Sequence, residues 1–269
     1  MRLLMSFMML CGFASNSYAA TQQSVTKDDA VLVDQLRRIN PNVVGAFKDG
    51  LERMRAKDYR AAAAQFQKVV NGAPTFEDAY NRLATCLTSS GNLEQAITTM
   101  AKAVELNRSY ENLMNLALLE TFSDGSRKAT PETQQRALRL MMEANRKKSD
   151  ASMLFVTASL AMQLKQHQEF SEVTQQMMRD FPEKPESHYL NAILAASNGE
   201  WKIAEEEIRR AGDFGVPPET VRQFLDTGVH RRGNEWRYAT YVGYAAMAFV
   251  GFALLFLIGK ALSKLTLRR

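Results

Sequence analysis

Two successive blocks of this chain repeat one spacing of small and large side chains over the same length. In Val43–Phe76, Gly50 stands eighth, Tyr59 seventeenth, Ala62 twentieth, Phe66 twenty-fourth and Pro74 thirty-second. In Glu77–Tyr110, Leu83 and Ala84 stand seventh and eighth, Gly91 fifteenth and Leu93 seventeenth. Ala96 follows at twenty, Ala103 at twenty-seven and Leu106 at thirty. A fixed period of this size marks an array of supersecondary units, each burying its apolar face on its neighbours. Small residues at eight, twenty and twenty-seven let two helices approach closely. A large residue at seventeen fills the space just after the turn. Proline near thirty-two stops the second helix, because it has no N–H and clashes with the preceding turn. Prolines and strand signals are scarce between Asp28 and Asp226, where amphipathic helical periods dominate.

The spacing resembles the tetratricopeptide repeat (TPR) family, most fully over Glu77–Tyr110. Val69 at twenty-seven and Arg108 near thirty-two depart from that pattern and blur the helix ends. A third copy starts at Glu111 with Leu116 and Ala117, and breaks at an extended turn, Ser123–Ala129. Thr130 as N-cap and Pro131 at the first helical position restart it, with Ala137, Met141 and Ala144 following. A fourth copy runs from Leu154 through Leu160, Ala161, Phe170, Val173 and Met177, and Phe181-Pro182 ends it. A fifth starts near Pro185 and carries Ala192, Gly199, Trp201, Ala204, Ile208 and Ala211. Pro217-Pro218 opens a last helix suited to cap a solenoid end. The expected fold is all-α, a TPR-like solenoid of about five helix–turn–helix repeats over 43–228. A segment 20–42 with a short helix, Asp28–Ile39, precedes it, and Asn40-Pro41 stops that helix.

The formal charge is +5, and its placement matters more than its size. All 29 acidic residues lie within Lys27–Glu235 beside 28 Lys and Arg, which leaves that body at −1. The excess is Arg2, Arg237, Lys260, Lys264, Arg268 and Arg269, and both ends that carry it are apolar. A near-neutral body removes the main argument for a nucleic-acid partner. Residues 1–19 read as a secretory signal peptide: Arg2, the apolar run Leu3–Ala14, then Ser17 and Ala19 before the cut, with cleavage after Ala20 as the alternative. Residues 237–259 read as a transmembrane helix, reached through a linker, 229–236. Tyr238–Gly259 carries no acid or base apart from tyrosine. As a helix this run is ~33 Å long, enough to span, and would be joined to the lipid bilayer as a single-pass anchor. Trp236, Tyr238, Tyr241 and Tyr244 mark one interface, and the basic tail 260–269 marks the cytoplasmic side. The expected location is a bacterial inner membrane, with the N-terminal domain periplasmic and the tail cytoplasmic.

Motifs for chemistry are missing from the sequence. The three histidines, His167, His188 and His230, have no ligand spacing, and no Gly-rich phosphate loop or nucleophile elbow occurs. Cys86 is the one cysteine beyond the signal and reads as a small buried hydrophobe. Glu205-Glu206-Glu207 reads as a solvated helix face and Arg146-Lys147-Lys148 as a helix C-terminus complementing its dipole. No catalysis, cofactor or metal is expected.

In TPR arrays the first helix of each repeat lines a concave face. The resemblance places Phe47, Leu51, Met54 and Arg55 there, with Asn81 and Thr85, Asn115 and Leu119, and Phe155 and Tyr189 from later repeats. The chaperone-binding subclass has several bases at such places; this chain has amides, so the resemblance does not extend to it. A mixed apolar and amide groove suits a peptide or protein partner, with Asn81 and Asn115 as backbone-holding amides. The same apolar residues would serve equally as packing between helices. In the span, Ala239, Gly243, Ala246 and Ala253 share a face on which helices could pack, making a homo-oligomer possible. Three readings follow: a membrane-tethered, exported scaffold that recruits protein partners; a non-catalytic accessory subunit of a membrane protease or envelope-biogenesis complex; and an oligomerising structural membrane protein.

Overall fold

The computed structural model of the chain describes residues 29–121 and 129–229. The expected signal 1–19, the span 237–259 with Ala239, Gly243, Ala246 and Ala253, and the tail 260–269 lie outside the described residues. Among the described residues no helix is long and apolar enough to cross a membrane.

The described residues fold as helices without strands, in two compact units that divide between Lys148 and Ser149. In the first unit α1 is helical across 29–39, and a 3-10 turn, Pro41–Val43, leads into α2 (Val44–Arg55). α3 (Tyr59–Gly72), α4 (Glu77–Ser89), α5 (Leu93–Leu106), α6 (Tyr110–Thr121) and α7 (Pro131–Lys147) follow. The second unit holds α8 (Ala151–Gln163), α9 (His167–Asp180), α10 (Pro185–Ser197), α11 (Trp201–Asp213) and α12 (Pro218–Phe224). A π-helical turn, Leu225–Val229, closes it. From α2 to α11 the helices form five antiparallel-type pairs in the order the spacing predicts. α8 begins at Ala151, ahead of the expected Leu154, because Asp150 caps it and accepts from the Met153 N–H at 3.0 Å. Thr130 and Thr133 form a reciprocal capping box that starts α7 at Pro131.

One turn joins the helices of four pairs. Asp58, Asn92, Gln166 and Glu200 each donate their N–H to the carbonyl five residues back, at 2.8–2.9 Å. That bond wraps the end of the first helix and satisfies a carbonyl left without a helical partner. It forces the preceding residue into the left-handed region: Lys57 (φ 61°), Gly91 (φ 83°), Lys165 (φ 57°) and Gly199 (φ 77°). Glycine takes this conformation freely, whereas Lys57 and Lys165 hold it at a cost.

The small residues do what their spacing implies. Ala62, Ala84, Ala96, Ala103, Ala204 and Ala211 are all wholly buried. A Cβ on Gly50 would lie 2.9 Å from the Phe66 ring, so glycine there sets how near α2 comes to α3. Val69, the larger residue at position twenty-seven of the first copy, is also wholly buried, as are Phe66 and Met177 at position twenty-four. Polar side chains finish the helix ends. Asn112 on α6 donates to the carbonyl of Asn107 at 2.8 Å and to that of Ala103 at 3.4 Å. Ser187 on α10 does the same for Phe181 at 2.6 Å, in the other unit. Both groups are buried, and each adds a hydrogen bond to backbone carbonyls at the end of the preceding helix.

Candidate functional site

The residues expected on the first-helix face separate into three kinds. Phe47, Leu51 and Leu119 are buried. Phe47 sits edge-to-face against Phe66 at 5.7 Å and against Phe76 at 5.5 Å between ring centroids. All three are packed among neighbouring side chains and leave 7% or less of their surface exposed. Met54, Asn81, Phe155 and Tyr189 are half-buried. Burial pushes the Tyr189 phenol up to about 12. Thr85 and Asn115 are exposed.

Asn81 is more than a surface amide. Its Nδ2 donates to Asn112 Oδ1 at 2.9 Å, and Asn112 in turn holds the end of α5. Asn107, at that end, donates to Glu77 Oε1 at 3.0 Å. Partial burial raises the Glu77 carboxyl above its ordinary value, against the lowering effect of the Asn107 bond. The Oδ1 of Asn81 is buried and accepts no hydrogen bond from the protein. Thr85, one turn on, donates its hydroxyl back to the Asn81 carbonyl at 2.9 Å. Asn81, Thr85 and Asn115 therefore bring amide and hydroxyl groups to α4 and α6, with Asn81 partly committed to the joint between the second and third repeats.

α1 adds residues that helical spacing does not reveal. Asp29 is 7% exposed. Its Oδ2 takes a hydrogen bond from Arg55 of α2 at 2.7 Å and its Oδ1 one from Arg82 of α4 at 2.6 Å. The Arg82 guanidinium lies over the Phe47 ring at 5.7 Å. Asn40 ties the other end of α1 down by donating to the Gly72 carbonyl at 2.8 Å. An open cavity of about 620 Å³ runs between α1 and the start of α4, lined by Leu32, Gln35, Arg38 and Ile39 on one side and by residues 75–78 on the other. Cys86 is wholly buried in α4; burial pushes its thiol up to about 12, against the pull of Arg82, so it is a protonated packing group.

In the second unit the sequence reading of Glu205-Glu206-Glu207 needs correction. Glu206 is exposed, but Glu207 is 6% exposed and meets His188 across the α10–α11 pair. His188 Nδ1 lies 2.7 Å from Glu207 Oε2, and Nε2 lies 2.8 Å from the Pro182 carbonyl. Arg210 donates to the other Glu207 oxygen at 2.9 Å. Phe214 stacks on the imidazole at 5.0 Å with 5° between planes. The pair fastens two helices and the turn before them. Among the described residues no group of three or more His, Cys, Asp or Glu could hold a metal ion.

Residues 53–116 match the family model of the tetratricopeptide repeat. No curated protein matches the chain by sequence. Among solved structures, YrrB, described as a TPR protein with an unusual peptide-binding site, is 13% identical with a TM-score of 0.56. The match covers 72% of this chain and 97% of that one. MamA is 16% identical with a TM-score of 0.51, covering 61% of this chain and 93% of its own. Pseudomonas aeruginosa pilF is 15% identical with a TM-score of 0.50, covering 82% and 97% respectively. At these identities the likeness is one of fold: the described residues form an all-α, TPR-like solenoid.

Proposed function

We propose that this chain is an exported, membrane-tethered TPR scaffold that binds protein or peptide segments and holds them near the bilayer, without catalysis of its own. The observation that carries the reading is the set of amide and hydroxyl groups, Asn81, Thr85 and Asn115, set on two first helices that the Asn81–Asn112 hydrogen bond joins. Amides both donate and accept, which matches the alternating demands of a peptide backbone. YrrB, which shares the fold, is described as having a peptide-binding site. The tether comes from the sequence: the apolar run Tyr238–Gly259 and the basic residues after it. A tethered scaffold raises the effective concentration of its face for membrane-bound partners.

Proximity labelling from the full chain in its membrane tests the reading. Asn115→Ala leaves the packing untouched and, with Thr85→Ala, should cut labelling of specific partners by about tenfold, the loss of one to two backbone hydrogen bonds. Unchanged labelling by the double variant would refute the face assignment.

A further inference from the structure

α1 is held differently from the helices after it. Of residues 29–39 only Asp29, Val33 and Leu36 are buried, while Val31 and Ile39 stand 55% and 47% exposed. The anchor at its N-terminal end is ionic, the Asp29 carboxylate shared between Arg55 and Arg82. Those partners lie 26 and 53 residues away in sequence. The Arg82 side chain is 18% exposed and its guanidinium also lies over the Phe47 ring, a contact that does not depend on Asp29. Two guanidinium groups converging on one point repel each other, and the face formed by α2 and α4 therefore calls for a carboxylate. The cavity beside Leu32, Gln35 and Ile39 shows that α1 does not fill the space along the start of α4.

We infer that α1 is an intramolecular occupant of a helix-binding face on α2 and α4. The partner of that face in trans is an amphipathic protein helix with a carboxylate at one position and apolar side chains four and seven residues further on. That pattern is what Asp29, Val33 and Leu36 present, and the occupant defines the ligand chemistry. A segment with so few buried side chains opens more readily than the packed pairs behind it. The short connection through Asn40 and the turn Pro41–Val43 keeps it at high effective concentration, so it competes with any incoming helix. The inference rests on the scaffold reading above and narrows it to one face and one kind of partner.

The test uses the full chain in detergent micelles and a fluorescein-labelled peptide of residues 27–40 as the probe. Asp29→Ala in the chain loosens the intramolecular helix, and the probe should then bind at least fivefold tighter than to wild type. Adding Arg82→Gln to that variant should erase the gain, as should Asp29→Asn in the probe. Hydrogen exchange in α4 and α5 certifies that the variants stay folded. Asp29→Asn in the chain gives the same comparison if alanine disturbs α4. Equal probe affinity for wild type and variant would make α1 a fixed end cap and overturn the inference. A concentration-dependent dimer that exchanges α1 between copies would overturn it in favour of a second copy. Partner labelling that requires Asn115 but ignores Asp29 and Arg82 would leave the scaffold reading standing and sink this one.

Discussion

Replacing Glu207 by alanine removes, in one step, the acceptor of a buried imidazole and of Arg210. His188 would keep its place beneath Phe214 with one ring nitrogen facing nothing. We expect a loss of about 1–3 kcal/mol, the cost of leaving a buried hydrogen-bonding group without its partner, read as a lower urea midpoint. Glu206→Ala, next to it and exposed, should change the stability by no more than about 0.5 kcal/mol. The difference was not legible in the sequence. Three consecutive glutamates on a helix look alike until the neighbouring helix shows which one it faces. The turn lysines behave in the opposite sense. Lys57 and Lys165 hold left-handed φ values where other repeats have glycine. Lys57→Gly and Lys165→Gly should each stabilise by about 0.5–1 kcal/mol, the relief of strain less the entropy of a freer chain. Thermal melts of the single variants check this. Alkali acts on two other buried groups. Cys86 and Tyr189 are both raised to about 12, from ordinary values of 9.0 and 10.0. Their folded forms keep the proton that the unfolded chain gives up. The stability they contribute is whole below pH 9 and falls as pH climbs toward 12. Urea midpoints measured at pH 8, 10 and 11 should drop steadily, and less steeply from pH 10 upward in Tyr189→Phe.

At the scale of the helix pair, the constraint is distance. Gly50 admits the Phe66 ring, and Gly50→Ala puts a methyl group 2.9 Å from two ring carbons. The ring must turn or the helices must part, and we expect a cost of about 1–3 kcal/mol, measured by chemical denaturation. This level of the fold was largely legible. Gly50, Ala62, Ala84, Ala96 and Ala103 announce close helix contacts by their size alone, and Thr130-Pro131 announces a helix start by its chemistry. Boundaries set by a single side chain were less so, as Asp150 shows by starting α8 ahead of Leu154. The face was harder still. Phe47 occupies a position that points into the groove in the family pattern, yet Phe66, Phe76 and Arg82 surround it. Position within a repeat fixes direction, but a large ring near the first repeat is claimed by whatever packs around it. Asp29 lies outside the repeats altogether, and no periodicity ties it to Arg55 or Arg82.

For the whole molecule, orientation is the first thing to establish. The tail bases Lys260, Lys264, Arg268 and Arg269 favour a cytoplasmic end. An alkaline-phosphatase fusion after Arg269 should be inactive, while one placed after Val216 should be active. Activity of the fusion after Arg269 would reverse the proposed topology. The net charge that first suggests an acidic partner lies at the two ends, since the stretch between Lys27 and Glu235 is nearly neutral. Repeat arrays distribute their stability through neighbour-to-neighbour interfaces. In this chain one such interface runs through Asn81, Asn112, Asn107 and Glu77. In the proposed function, the amide that makes the joint is the same amide offered to a peptide. A peptide that claims the Asn81 donor takes it from Asn112, so binding there is traded against stiffness. If the proposed face holds a peptide there, the joint between the second and third repeats would be looser when loaded than when empty, and hydrogen exchange at the end of α5 would register it.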